Sequence, residues 1–168
     1  MASPLDSLRF AFRSLGFVGV TFGMYGLLEV DTLWSGDAKR DLTLSEWVGR
    51  YGDALCKLWG LDLRVEGTPP GQPPPRLPGQ DSQKKGRLFI MNHRSSVDIL
   101  VSLRLCDCTI VSRADLARWP VIGMAARRVG TLFVDRASRR SGAQVMHRMA
   151  DALKAGKGVM VFPEGTTY

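Results

Sequence analysis

Four short apolar segments in the second half of the chain each end abruptly in polar or charged residues, and this repeated pattern restricts the fold more than any other feature. The segments are residues 88–91, 109–111, 131–134 and 159–162. Helical stretches at 96–105, 120–128 and 139–155 separate them, the last with Met146, Met149, Ala150 and Leu153 on one face. Strands that alternate with helices favour an α/β fold with a largely parallel central sheet flanked by helices.

The polar residues that follow these strands are the candidate functional residues. They are Asn92-His93, Ser112-Arg113, Asp135-Arg136 and Pro163-Glu164-Gly165-Thr166. Ligands bind beyond the carboxyl ends of the strands in parallel sheets, so we expect these clusters to meet at one edge.

His93 and Asp98 are the candidate catalytic pair. If His93 lies in the loop and a helix begins at Ser95, Asp98 falls in the first turn, where its carboxylate can turn back toward the imidazole. A carboxylate that holds the correct tautomer and stabilises the protonated ring is what a general base needs. The alternative is a capping box at Ser95-x-x-Asp98, and both can hold together. Because the sequence has no G-x-S-x-G elbow, His93 would activate a hydroxyl supplied by the substrate.

The other strand ends supply candidates for anion binding. Arg136, and on weaker grounds Arg113, could present a guanidinium fork to a phosphate. The alternative is an ordinary surface charge. After the last strand, the carboxylate of Glu164 can accept a hydrogen bond from a hydroxyl, and turn N–H groups around Gly165 and Thr166 can face an anion.

The N-terminal region predicts an amphipathic helical pair. Residues 14–28 carry no charge, which is short of the roughly 20 residues needed to cross a bilayer. Residues 42–58 have a helical period with tryptophans suited to a membrane interface. Four glycines, Gly16, Gly19, Gly23 and Gly26, predict a side on which a second helix packs closely. We expect the pair to lie in or dip into one leaflet, and the alternative is an ordinary helical hairpin over the core.

The charge distribution favours an anionic partner. Residues 84–148 hold 13 basic and four acidic residues, although the whole chain carries only +7. Membrane lipid accounts for this better than nucleic acid, because no platform of aromatic residues accompanies the arginines. Three cysteines and two histidines at these spacings indicate no structural zinc, and the common nucleotide-binding loops are absent from the sequence.

A proline-rich segment at residues 67–86 predicts an exposed loop between two strands, at 61–66 and 87–91. Six of the nine prolines lie in it, which excludes a helix or a central strand. We therefore divide the chain into a membrane-associating helical segment, 1–60, and an α/β domain, 61–168, in which the loop is an elaboration.

Three motifs resemble those of the glycerolipid acyltransferase superfamily, which includes 1-acylglycerol-3-phosphate acyltransferase. They are the NHx4D motif at residues 92–98, a second motif at 130–136 and a third at 162–166. The resemblance covers about residues 40 to 168. The N-terminal helical pair is similar to the membrane anchor of bacterial members, which implies association with the cytoplasmic face of a membrane.

The resemblance implies that His93 acts as general base on an acceptor hydroxyl, which attacks the thioester of acyl-CoA or acyl carrier protein while Asp98 orients the ring. Arg136, Glu164, Gly165 and Thr166 would bind the glycerophosphate part of the acceptor, which receives the acyl chain and becomes phosphatidic acid. Arg113 falls where the family usually has a basic residue near the acceptor phosphate. No cofactor, metal or covalent acyl-enzyme is implied.

Two departures from the family pattern change the expectations. Thr167 and Tyr168 replace the usual Arg and Ser, which resembles members that act on other lysolipids such as lyso-ornithine lipid. The family domain continues beyond the position of Tyr168 with a fourth motif, so we expect these 168 residues to be a fragment that is inactive alone. A non-catalytic module that holds anionic lipid is the alternative from another functional class.

Overall fold

A computed structural model describes residues 4–69 and 71–164. Helix α1, Pro4–Trp59, opens the chain and is broken at Gly36, where φ is 65° and ψ is 164°. Glycine suits this left-handed backbone because it has no Cβ to clash. The break divides α1 into a first arm and a second arm, which confirms the predicted helical pair.

The two arms fold back on one another as a hairpin. The hydroxyls of Thr21 and Tyr51 lie 2.8 Å apart across the pair, and Trp47 Nε1 donates to Asp31 at 2.7 Å. The first arm, Pro4–Gly36, has 33 residues and a mean hydropathy of 1.3 in its most apolar 18-residue window. By length and composition alone it could cross a membrane. Our estimate from the uncharged run was too short because the helix continues beyond that run at both ends.

The glycine stripe packs differently from the prediction. A Cβ at Gly16 would lie 2.8 Å from the Leu58 side chain of the second arm, but one at Gly19, Gly23 or Gly26 would meet nothing within 4 Å. The buried positions of the first arm include Thr21 and Leu28 instead. Only Gly16 therefore serves the close approach that the stripe predicted.

The α/β part is a four-stranded parallel sheet in the order β1-β4-β2-β3. Its strands are β1 (Leu88–Ile90), β2 (Thr109–Arg113), β3 (Leu132–Val134) and β4 (Val159–Val161). Its helices are α2 (Val97–Leu105), α3 (Pro120–Arg128) and α4 (Arg139–Lys154), and a 3₁₀ turn, Ala114–Arg118, follows β2. The α/β prediction is confirmed.

The helices cover both faces of the sheet. The chain moves in one direction across the sheet from β1 to β3 and then returns to β4, so right-handed crossovers put α2 and α3 on one face and α4 on the other. The core on the α2 side is formed by buried Cys106, Ile110 and Met160, against which Ile99 and Leu103 pack.

Helix α4 buries only part of its predicted face. Val145 is buried, whereas Met146 is 65% exposed. Met149 and Leu153 of the predicted face are half-buried, whereas Ala150 is exposed like Met146.

Of two predictions about the connection before β1, one was wrong and one was incomplete. Residues 61–66 form no strand, and no strand of the described sheet pairs with them. The proline-rich loop is anchored as well as exposed, because Arg76 donates to the Leu103 carbonyl at 3.1 Å and Arg104 donates to the Pro74 carbonyl at 3.2 Å.

Candidate functional site

His93 and Asp98 meet at the carboxyl end of β1. The chain turns after the strand, and α2 begins at Val97, so Asp98 lies in the first turn. One carboxylate oxygen, Asp98 Oδ2, accepts hydrogen bonds from the backbone N–H groups of Arg94 at 2.6 Å and Ser95 at 2.8 Å. The same oxygen lies 3.3 Å from His93 Nδ1. The capping function and the histidine contact therefore coexist in one carboxylate.

The environment of Asp98 keeps its carboxyl ionised. Burial raises the pKa, but hydrogen bonds from the backbone of Ser95 and Arg94 and from His93 outweigh it, so the pKa lies below its usual range. An ionised carboxylate beside Nδ1 favours the tautomer with the proton on Nδ1. We assign that tautomer, which leaves Nε2 as the nitrogen able to accept a proton.

The third motif reaches His93 from the neighbouring strand. Because β4 pairs with β1, the residues after β4 lie beside the His93 loop. The His93 backbone N–H donates to Glu164 Oε2 at 2.9 Å, and the Phe162 ring lies 4.5 Å from the imidazole between centroids. The structure thus brings His93, Asp98 and Glu164 into one cluster, as convergence at the sheet edge predicted.

The two arginine candidates lie on the other pair of strands. Arg113 ends β2 opposite Val134 of β3, and Arg136 follows β3 two residues later. Both are exposed at the carboxyl edge, and among the described residues neither has a hydrogen bond or ion pair with His93, Asp98 or Glu164. Gly165 and Thr166 lie outside the described residues.

The surroundings of the two arginines differ. Arg113 forms a two-pronged ion pair with Asp115, with hydrogen bonds of 2.9 and 2.8 Å, and this guanidinium holds the pKa of Asp115 below its usual range. Arg136 has no hydrogen bond or ion pair with any other described residue. Arg136 therefore presents the less encumbered guanidinium.

Sequence reasoning missed two neighbours of the site. Phe162 belongs to a motif that we noted, yet we gave its ring no function. Asp115 was not identified, although a carboxylate two residues after a strand-ending arginine is placed to reach it. The position of Phe162 beside His93 depends on the register of the strands, which the sequence does not show. The contact of Asp115 with Arg113 depends on the tight 3₁₀ turn after β2, which we did not predict.

A comparison with protein families bears on the same residues. The sequence model described as Acyltransferase matches residues 74–168, which include all three motifs. The chain belongs to this acyltransferase family. That assignment confirms the family resemblance drawn from the motifs.

Curated relatives of this acyltransferase chain carry two kinds of name. It is 34% identical to the lyso-ornithine lipid O-acyltransferase of Pseudomonas aeruginosa over 92% of this chain and 54% of that protein. It is 30% identical to the 1-acyl-sn-glycerol-3-phosphate acyltransferase of Neisseria gonorrhoeae over 66% of this chain and 40% of that protein. The chain therefore spans about half or less of the length of these relatives.

The fold is also that of a solved acyltransferase. The crystal structure of the 1-acyl-sn-glycerophosphate acyltransferase PlsC from Thermotoga maritima matches with a TM-score of 0.64 over 98% of this chain and 61% of that one. The sequence identity is 19%, so this likeness supports the fold alone. Within residues 4–69 and 71–164, no group of three or more His, Cys, Asp or Glu side chains is placed to hold a metal ion.

Proposed function

We propose that the protein transfers an acyl chain from acyl-CoA or acyl carrier protein to the free hydroxyl of a lysolipid. The observation that carries this proposal is the contact between His93 Nδ1 and an Asp98 carboxylate that two backbone N–H groups hold in place. Membership of the acyltransferase family supports the same chemistry.

The reaction follows from the free Nε2 of His93. Nε2 takes the proton of the acceptor hydroxyl while the hydroxyl oxygen attacks the thioester carbonyl carbon. The carbon–sulfur bond breaks, and the thiolate leaves with the proton returned by the imidazolium. Asp98 orients the ring and stabilises its charge, and such general base action contributes about 10²–10⁴ in rate. The products are an ester and a free thiol.

The proposed acceptor site consists of the candidates along the sheet edge: Arg113, Arg136, Glu164, Gly165 and Thr166. Arg136 would bind a headgroup anion, since its guanidinium is exposed and unpaired among the described residues. Glu164 would accept a hydrogen bond from a hydroxyl, and the backbone of the other two motif residues would complete the binding loop.

Two lysolipids are candidate acceptors for this chemistry. The first is 1-acyl-glycerol-3-phosphate, which would give phosphatidic acid. Lyso-ornithine lipid is the second, and the Arg113–Asp115 pair favours it. That pair leaves a smaller positive field for a phosphate, whereas an ornithine headgroup carries an ammonium as well as a carboxylate. Each acceptor appears in the name of one of the relatives described above, so the relatives support both candidates.

The proposed location is the cytoplasmic face of a membrane. Large apolar side chains on the first arm of α1 are exposed at helical spacing, among them Leu15 at 75% and Phe22 at 51%. A stripe of this kind suits burial at the boundary between headgroups and acyl chains. The acyl donors are cytoplasmic, so the sheet edge would face the cytoplasm.

The deciding experiment is acyl transfer by the full-length protein, given labelled acyl donor and each of the two acceptors. We expect His93→Ala to lower turnover by about 10²-fold or more with the preferred acceptor. His147→Ala is the matched control, because His147 is exposed on α4, away from the site. Unchanged turnover in the His93 variant would refute the mechanism, and the ratio of the two acceptor rates would identify the acceptor.

A further inference from the structure

The open end of the α1 hairpin holds a cavity that the acyl-transfer chemistry does not use. It lies where the first arm begins and the second ends, and its volume is about 320 Å³. Its lining residues are Asp6, Arg9, Phe10, Arg13 and Trp59. None of them belongs to the cluster at the carboxyl edge of the sheet.

Two arginines and a tryptophan give this cavity the chemistry of a headgroup site. Arg9 and Arg13 are four residues apart, so their side chains share one face of the helix. The Arg13 guanidinium lies over the Trp59 ring, 5.7 Å from its centroid. A cation–π contact of this kind holds a guanidinium near the ring and leaves its N–H groups able to bind a phosphate oxygen pair.

An apolar surface runs directly beside the cavity on the same arm. Leu5, Leu8, Phe12 and Leu15 are each at least 66% exposed. A ligand with a phosphate in the cavity could therefore lay hydrocarbon chains along this stripe. Free phosphate would gain nothing from it, which argues for a lipid.

The charge of the lining also restricts the ligand. Two arginines and one aspartate leave a net charge of +1, which matches the single negative charge of a phosphodiester. A headgroup that adds an ammonium would place a second cation beside the arginines. These observations favour an anionic phosphodiester lipid such as phosphatidylglycerol over a zwitterionic one.

We propose that Arg9, Arg13 and Trp59 form a binding site for the phosphodiester of an anionic membrane phospholipid, with its acyl chains along the exposed stripe of α1. The site rests on the membrane association in the proposed function, but not on acyl transfer. It fixes the depth and rotation of the hairpin in the leaflet, and so the direction in which the attached sheet edge faces.

The test measures how the full-length protein, without acyl donor, partitions onto two kinds of vesicle at about 0.1 M salt. One kind is phosphatidylcholine alone, and the other contains about 30 mole per cent phosphatidylglycerol in phosphatidylcholine. The wild type should prefer the phosphatidylglycerol vesicles, and Arg9→Gln with Arg13→Gln should lower that preference by about 30-fold. The matched control, Arg148→Gln with Lys154→Gln, removes the same charge from exposed positions on α4 and should change it by less than about threefold.

Arg13→Lys separates a built site from diffuse attraction. This variant keeps the charge but loses the planar guanidinium fork beside Trp59, so it should lower the preference by several-fold, less than the double variant, while its helical content by circular dichroism is unchanged. Wild-type preference in Arg13→Lys, or an equal loss in the α4 control, would overturn the proposal. Release from vesicles by millimolar inorganic phosphate, but not by chloride of equal ionic strength, would overturn the lipid assignment. Vesicle binding is read without catalysis, so a failed acyl-transfer assay leaves this result intact.

Discussion

Replacing Asp98 by Asn separates the two functions that one carboxylate performs. The substitution keeps the size of the side chain and an oxygen that can accept from the backbone N–H groups of Arg94 and Ser95. It removes the negative charge that faces His93 Nδ1 at 3.3 Å. Stability should therefore fall moderately, and acyl transfer should fall far more.

The magnitudes follow from the hydrogen bonds. A hydrogen bond to a charged group contributes about 1.5–3 kcal/mol and a neutral one about 0.5–1.5. Two backbone N–H groups change from the first kind to the second, and the Asp98 side chain is only 20% exposed, so little of the difference is screened. We expect a loss of about 2 kcal/mol in the free energy of unfolding. Loss of the oriented and stabilised imidazolium should lower acyl transfer by about 10²–10⁴.

The pH dependence gives an independent check. The pKa of Asp98 is lower in the folded protein than its ordinary value, so the carboxylate stabilises the fold above about pH 4. That contribution is lost as the pH falls through the folded pKa. The difference in unfolding free energy between wild type and Asp98→Asn should shrink as the pH falls below the ordinary pKa of an aspartate, which urea titrations at a series of decreasing pH values would measure.

A control and a contrary result make this prediction decisive. Asp151→Asn removes a carboxylate from the exposed face of α4 and should change neither quantity appreciably. If Asp98→Asn lost stability but kept wild-type turnover, the carboxylate would be a helix cap alone. The general base assignment of His93 would then lose its physical support.

Three further changes test other contacts. Gly52→Ala would place a Cβ 2.6 Å from the backbone of α2 and should destabilise the fold by about 1–3 kcal/mol in urea unfolding. Gly23→Ala would place its Cβ in open space and should be neutral or stabilising. Equal effects of the two substitutions would contradict this packing. Arg128→Gln breaks the ion pair with Glu29, at 2.5 Å. The free energy of unfolding should fall by about 1–2 kcal/mol and not more, because the Glu29 side chain is 40% exposed and water screens part of the interaction. An unchanged free energy in urea unfolding would show that the pair does not stabilise the fold. Asp115→Asn should raise kcat/KM for 1-acyl-glycerol-3-phosphate by about fivefold relative to lyso-ornithine lipid, and an unchanged ratio would show that the pair does not select the acceptor.

The fold class could be predicted from the sequence because the beginning and the end of each strand are both marked by a change between polar and apolar residues. Each short apolar run stops at polar residues, and the helices between them fix a parallel arrangement. The segment at 61–66 alternates equally well, but alternation alone does not provide a neighbouring strand, and none pairs with it in the described structure. The glycine spacing of α1 likewise identified one side of a helix without identifying the side that its partner covers.

The contact within the first motif was predictable from sequence, and the contacts that depend on other strands and turns were not. The sequence places His93 and Asp98 close enough for contact, and the structure reports that contact. Sequence separation hides the hydrogen bond between His93 and Glu164, which are 71 residues apart. It also hides the neutralisation of Arg113, because a salt bridge depends on the path of a turn and on side-chain rotamers.

Strand order gives the third motif a central position in the candidate site. Because β4 lies between β1 and β2, the loop after β4 separates the His93 loop from Arg113. Glu164 uses Oε2 to accept from the backbone of His93, which leaves Oε1 to accept from an acceptor hydroxyl. A lysolipid held by that second oxygen would bring its hydroxyl toward the loop that carries the base. Under the proposed function, acceptor binding and positioning of the base are therefore coupled through one carboxylate, and an acceptor that displaced Glu164 would also move His93.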